Sequence, residues 1–227
     1  MLWREAKWFA TEMRMLADTQ LYPMLNIGSH TKEFRKREQP WIDRYLFAPA
    51  RDKGLSVVHS DLQSLPGVDL VGDLLDPVFL AKIAAMRFRS VFCANLLEHV
   101  TNREEIAAVL VKAVEPGGLI LVSCPNVFPY HPDPIDTMYR PPPAELASLF
   151  PGTTIVKAER VRCGNLSTYI FRRFATDPGM LWRMLFRRRA QVVRKTEAGL
   201  SAQQWLPWLW RPFFQACVIL RKDTGTP

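Results

Sequence analysis

Ser90-Val91-Phe92-Cys93-Ala94-Asn95, the segment Thr101 to Val114, Pro116-Gly117-Gly118 and Leu119-Ile120-Leu121-Val122-Ser123-Cys124 form the stretch on which the fold turns. Its first and last runs are apolar without alternation, the pattern of strands covered on both faces. Between them, Ile106, Val109, Leu110 and Ala113 recur at helical spacing. Thr101, with Glu104 three residues on, predicts the helix start, and Pro-Gly-Gly predicts its stop. Strand, helix and strand in this order predict a parallel unit.

The same alternation extends outward in both directions. Met24-Leu25-Asn26-Ile27, halted at Gly28, Val57-Val58-His59-Ser60-Asp61 and Val68-Asp69-Leu70-Val71-Gly72-Asp73 predict three earlier strands. Residues 1–20 predict a helix through Leu2, Phe9, Met13 and Leu16, and Lys32 to Lys53 predicts a long polar helix. Further on, Ala144 to Phe150 predicts a short helix, and Thr153 to Val156 and Ala216 to Leu220 predict late strands. The whole predicts an α/β fold, a doubly wound and mostly parallel sheet. Its expected parts are a helix over 1–20, a domain over 21–160, a basic, aromatic helical insertion or lid over 161–212, and a last strand and tail over 213–227.

Composition excludes several classes. The chain has 227 residues, 48% of them apolar, with 11 Gly and only 4 Cys, which excludes a fibrous repeat and a disulfide scaffold. No apolar run approaches the ~20 residues of a membrane span. The opening Met1-Leu2-Trp3-Arg4-Glu5-Ala6-Lys7 lacks a secretory apolar core, so a reduced, cytoplasmic protein is expected. Cys93, Cys124, Cys163 and Cys217 lie too far apart for a Cys-x-x-Cys site. The net charge of +8 is concentrated between residues 171 and 195, where Arg172, Arg173, Arg183, Arg187, Arg188, Arg189, Arg194 and Lys195 face one acid, Asp177. Charge this local argues against a nucleic-acid binder. Beside Met180, Trp182, Leu185 and Phe186, it predicts peripheral contact with an anionic membrane. A substrate lid, an oligomer contact, a patch for RNA or an acidic glycan, and a helix packed on the core remain as alternatives.

In doubly wound sheets, ligands bind beyond the carboxyl ends of the strands. Here those ends carry Gly28 and Ser29, Asp61, Asp73 and Asn95. Glycine lets backbone approach a ligand closely, and a carboxylate such as Asp61 accepts both hydrogen bonds of a ribose hydroxyl pair. Asp73 offers an acceptor to an adenine amino group. An ordinary turn and solvated strand-end acids are the plainer readings of the same residues.

Phe92-Cys93-Ala94-Asn95-Leu96-Leu97-Glu98-His99-Val100, with Glu115-Pro116-Gly117-Gly118 and Val68 to Leu74, resembles the class I S-adenosylmethionine-dependent methyltransferases of the type 11 group. His131-Pro132-Asp133-Pro134-Ile135-Asp136-Thr137-Met138-Tyr139-Arg140 is similar to a downstream stretch of that family. The resemblance covers roughly residues 22–160. It implies a Rossmann-like methyltransferase fold and S-adenosyl-L-methionine as cofactor. Gly28 and Ser29 would approach the methionine part, Asp61 the ribose, Asp73 and Leu74 the adenine, and Asn95 and Leu96 the pocket floor. The family's first motif is an acid and three glycines at alternate positions, where this chain has Asn26, Gly28, His30 and Lys32.

The implied activity is methyl transfer to a small-molecule, glycan or lipid-linked acceptor. His131 is the candidate base, and Asp133, Asp136, Tyr139 and Arg140 are candidates to orient the acceptor. These residues equally suit a brace for a proline-rich loop. Glu98-His99 has no second cluster at ligand spacing, so no metal is expected. Asn26, His30 and Lys32 support the alternative of a catalytically degenerate, methyltransferase-like binding or scaffold protein.

Overall fold

The computed structural model describes residues 1–131, 135–176 and 205–225. Its centre is one seven-stranded sheet: β1 (Met24–Ile27), β2 (Val57–Asp61), β3 (Leu70–Val71), β4 (Phe88–Ala94), β5 (Val114–Val127), β6 (Thr153–Gly164) and β7 (Phe213–Lys222). The order is β3-β2-β1-β4-β5-β7-β6. The first five strands pair in parallel, whereas β7 runs antiparallel between β5 and β6. The expected mostly parallel, doubly wound sheet is therefore present.

β1 is buried at all four positions, as its apolar sequence requires for a strand with a neighbour on each side. One face of the sheet packs on α4 (Pro77–Ala85), α5 (Arg103–Lys112) and α6 (Pro143–Ser148), through Phe79, Ile83, Ile106, Leu110 and Leu146. The opposite face packs on α1 (Trp3–Arg14) and on the segment before α3 (Ala48–Asp52), through Phe9, Met13, Leu46 and Phe47. Gly72 sets the seat of α4: a Cβ there would come within 2.3 Å of the Phe79 ring.

Several boundaries differ from expectation. The helix over 1–20 breaks into α1 and a short α2 (Asp18–Leu21). The polar helix over Lys32 to Lys53 is two wide π-type turns, Phe34–Glu38 and Asp43–Phe47, leading into α3. The strand over 68–73 narrows to two residues, while β5 and β6 run longer than expected. Asn102, not Thr101, occupies the N-cap of α5.

After β6 comes α7 (Leu166–Thr176), which packs back on the N-terminal helix: Trp3 N donates to Tyr169 Oη at 3.0 Å, and the Arg172 guanidinium lies 3.7 Å from the Trp3 ring centroid. The rest of the basic insertion, residues 177–204, lies outside the described residues, and so does Asp133. Among the described residues, no helix is long and apolar enough to cross a membrane.

Candidate functional site

The turn after β1 brings the first group of expected residues together. Gly28 takes a left-handed φ of 65°, and a Cβ there would meet only Leu96 Cδ1, at 3.5 Å. His30 also sits at positive φ, 55°, where glycine is the unstrained residue. Asp61, at the tip of β2, reaches back to this turn: its Oδ2 accepts from His30 N at 2.8 Å and its Oδ1 from Gln63 N at 3.2 Å. Each oxygen keeps a further lone pair. Asn26 is buried in β1, and its Nδ2 donates to His59 Nδ1 at 3.0 Å across the β1–β2 register. Burial, with Arg35 close by, pushes the His59 imidazole down to about 4, so it stays neutral.

The segment that follows folds over the same turn. The Arg35 guanidinium, itself buried, donates to the carbonyls of Ser29 at 2.8 Å, His30 at 2.6 Å and Gly67 at 2.7 Å. Its burial lowers the proton affinity of the guanidinium, opposed by Asp69, Asp43 and Asp61. The His30 and Phe34 rings lie 4.3 Å apart. What remains beside Gly28 is a cavity of about 50 Å³, with Asn26, Ser29, Phe34, Arg35 and Phe92 among its walls.

At the ends of β4 and β5, α1 supplies a residue that sequence reasoning missed. Glu5 is fully buried and gathers three donors: Leu2 N at 2.7 Å, Asn95 Nδ2 at 2.8 Å and Ser123 Oγ at 2.6 Å. Asn95 adopts a φ of 53° and thus turns its amide toward α1, while Leu96 packs against the sheet's core. Nothing local in the sequence separates Glu5 or Arg35 from solvent-facing charges, since their partners lie on distant elements. Asp73 stays exposed and accepts from Leu75 N at 2.9 Å; Leu74 packs inward against the core.

The loop after β5 carries the remaining expected residues. Asp136 braces this loop: its side chain has no exposed surface and accepts from His131 N at 3.0 Å, Met138 N at 2.8 Å and Arg140 Nη1 at 3.1 Å. Burial would raise its pKa, but these donors outweigh it and hold the carboxyl at about 2. Asp136 thus holds the His131 backbone and the Arg140 guanidinium in place. Tyr139 is placed apart from them. Its ring packs in the core under the Arg103 guanidinium, 4.4 Å away, and burial beside Glu145 raises its hydroxyl to about 12. His131 is half-buried against Phe128, and desolvation pushes its imidazole below the usual range, opposed by Asp136. Beside it lies a cleft of about 360 Å³, walled by Phe128, Pro129, Met138 and Trp208 with Arg140 and Arg211. Glu98 is buried in the turn Leu97–His99, and burial, with Glu5 nearby, pushes its carboxyl up to about 8.

No family model matches the chain, and no curated protein matches it. Solved structures do. A protein assigned as a sarcosine dimethylglycine methyltransferase from Galdieria sulphuraria superposes with a TM-score of 0.54 at 11% identity, covering 97% of this chain and 85% of that one. A SAM-dependent methyltransferase from Archaeoglobus fulgidus gives 0.51 at 12% identity, over 96% and 94% of the two chains. Coclaurine N-methyltransferase, solved with N-methylheliamine and SAH, gives 0.52 at 12% identity, over 94% and 70%. At such identities the likeness is one of fold: the chain has the Rossmann-like methyltransferase fold.

Proposed function

We propose that the protein is an S-adenosylmethionine-dependent methyltransferase, of the type 11 kind its motifs resemble, acting on a small-molecule acceptor. The observation that carries this reading is Asp61 at the tip of β2, clasping the Gly28 turn at the ligand-binding edge of a methyltransferase sheet. The activities of the three structural neighbours, all methyltransferases, agree with it.

The polar groups suit an adenosyl ligand. Gly28 leaves backbone open to the methionine part, and Asp61 keeps lone pairs for ribose hydroxyls. Asp73 and Leu74 stand at the next strand edge for an adenine, with Asn95 and Leu96 below. Space is the restriction: the cavity holds about 50 Å³, against the about 300 Å³ or more of a typical small-molecule site. Binding therefore needs the Arg35 segment to swing away from Gly67. The cofactor, once bound, supplies an electrophilic methyl group. The chain supplies position and exclusion of water, which account for much of the rate in such displacements.

The cleft beside His131 fits an acceptor with a flat apolar body and an anionic group. Phe128 and Trp208 offer faces, and Arg140 and Arg211 offer charge. His131 presents Nε2, because Nδ1 is engaged by Asp136 and Pro129. Titration calorimetry with S-adenosylhomocysteine is the direct test. The full chain is expected to bind it, Asp61→Asn to bind at least about tenfold more weakly, and Asp61→Ala not to bind measurably. Absence of binding at millimolar ligand in the unsubstituted chain overturns the assignment in favour of a non-catalytic scaffold.

A further inference from the structure

Three side chains outside the cofactor cleft meet where the loop after β5 crosses the turn after β4. Glu98 and His99 belong to the turn Leu97–His99, and His131 arrives from the loop. One ligand-capable atom from each lies within 4.8 Å of the other two. The spacing of Glu98-His99 alone predicts no metal, because it cannot show that the fold delivers a second imidazole.

Both imidazoles are anchored the same way. His99 Nδ1 meets the Ile135 carbonyl, and His131 Nδ1 meets Asp136 Oδ2 at 3.1 Å and the Pro129 carbonyl at 3.3 Å. An Nδ1–H given to a carbonyl or carboxylate fixes the ring and leaves the Nε2 lone pair outward, the support that metal-binding histidines regularly have. The third group is an orphan. Glu98 Oε1 is buried and has no hydrogen-bond partner among the described residues, while Oε2 is met by Cys124 Sγ at 3.8 Å. Oε1 faces His99 Nε2 at 3.8 Å, beyond hydrogen-bond reach. A buried acceptor left without a donor costs about 1–3 kcal/mol, more if charged. A cation between the carboxylate and the two Nε2 atoms removes that cost.

We propose that Glu98, His99 and His131 bind one divalent transition-metal ion through Glu98 Oε1 and the two imidazole Nε2 atoms. Two imidazoles and one carboxylate suit zinc, cobalt, iron(II) or manganese rather than calcium. Bonds of about 2.0–2.2 Å at tetrahedral angles set ligand atoms about 3.3–3.6 Å apart, so a triangle whose edges are at most 4.8 Å closes by about 1.5 Å or less. Three protein ligands leave a position for water or an oxygen of an acceptor. His131 adjoins Pro129, a wall of the acceptor cleft, so that position serves the cleft. On this assignment His131 acts on an acceptor through the ion and not as a free base. The metal site does not depend on cofactor binding at Gly28 and Asp61.

The test is titration of the metal-free full chain with Co²⁺ alone, read by visible absorption, equilibrium dialysis and thermal melting. One ion per chain is expected, with a rise in melting temperature. His99→Gln, His131→Gln and the near-isosteric Glu98→Gln are each expected to weaken binding at least about 100-fold and to abolish the rise. His30→Gln, a surface histidine substitution, is expected to bind as the unsubstituted chain does. Melting curves report in the same samples whether each variant is folded, and any folded member of the three decides. Failure of the unsubstituted chain to bind at millimolar Co²⁺ overturns the proposal. So does unchanged affinity in a folded variant of Glu98, His99 or His131, or loss of binding in His30→Gln.

Discussion

His59 shows how much one buried side chain ties stability to pH. Its pKa of about 4 lies below the ordinary imidazole value of 6.5, chiefly through desolvation, with Arg35, Asp69, Asp43 and Arg51 as the charges around it. Above pH 6.5 both folded and unfolded chains keep it neutral, and its contribution is complete. As pH falls from about 6.5 toward 4, the unfolded chain takes up a proton that the folded chain refuses. Stability is expected to fall by up to about 3 kcal/mol over that window. Urea unfolding at pH 7.5 and pH 5 checks this, and His59→Gln is expected to remove most of the difference. The same scale shows what a sequence can disclose. Gly28 and Asp61 are legible because they stand at the carboxyl ends of successive strands, where sheets of this kind bind ligands, although a turn glycine and a solvated acid read the same way in sequence. Glu5 and Arg35 are not, because burial is decided by distant partners: Asn95 and Ser123 for one, three backbone carbonyls for the other.

At the scale of elements, legibility follows local physics. β1 and β2 coincide with their expected limits, since each is an apolar or β-branched run ended by a glycine or an acid. α4 escapes a periodicity reading because Pro77–Ala85 is apolar nearly all round; its signal is Asp76 as N-cap, accepting from Val78 N at 3.0 Å, before a proline at the first helical position. The segment Lys32 to Lys53 misleads because Pro40 and Pro49 interrupt it, leaving wide turns whose order comes from Arg35. That makes the segment a movable part. Replacing Arg35 by Ala is expected to lower stability by about 3 kcal/mol through three carbonyls losing their charged donor. It is also expected to tighten S-adenosylhomocysteine binding by about tenfold, because a larger fraction of molecules then has an open cleft. Paired melting and calorimetry on the variant check both effects; equal or weaker affinity with the predicted loss of stability would show that the segment does not gate the cleft.

For the whole molecule, the decisive element is β7. It pairs with β5 from Leu119 to Val127 and with β6 from Thr153 to Gly164, so β6 is joined to the rest of the sheet through it. A chain ending at Thr176 is expected to lose cooperative thermal unfolding, as Ile120, Val122 and Cys124 would lose the strand carrying Ala216, Val218 and Leu220. Far-UV circular dichroism through a melt checks this; a cooperative transition in the shortened chain would show that the first five strands are self-sufficient. The order of synthesis gives β7 a second consequence. During translation β6 leaves the ribosome before β7, its one pairing partner among the described residues, has been made. Until then it is a twelve-residue strand with both edges bare and Ile155 and Val156 exposed, the condition in which nascent chains associate wrongly. Lys157, Glu159, Arg160 and Arg162 are spaced along that strand, and charges so placed oppose pairing with a neighbouring copy while it waits.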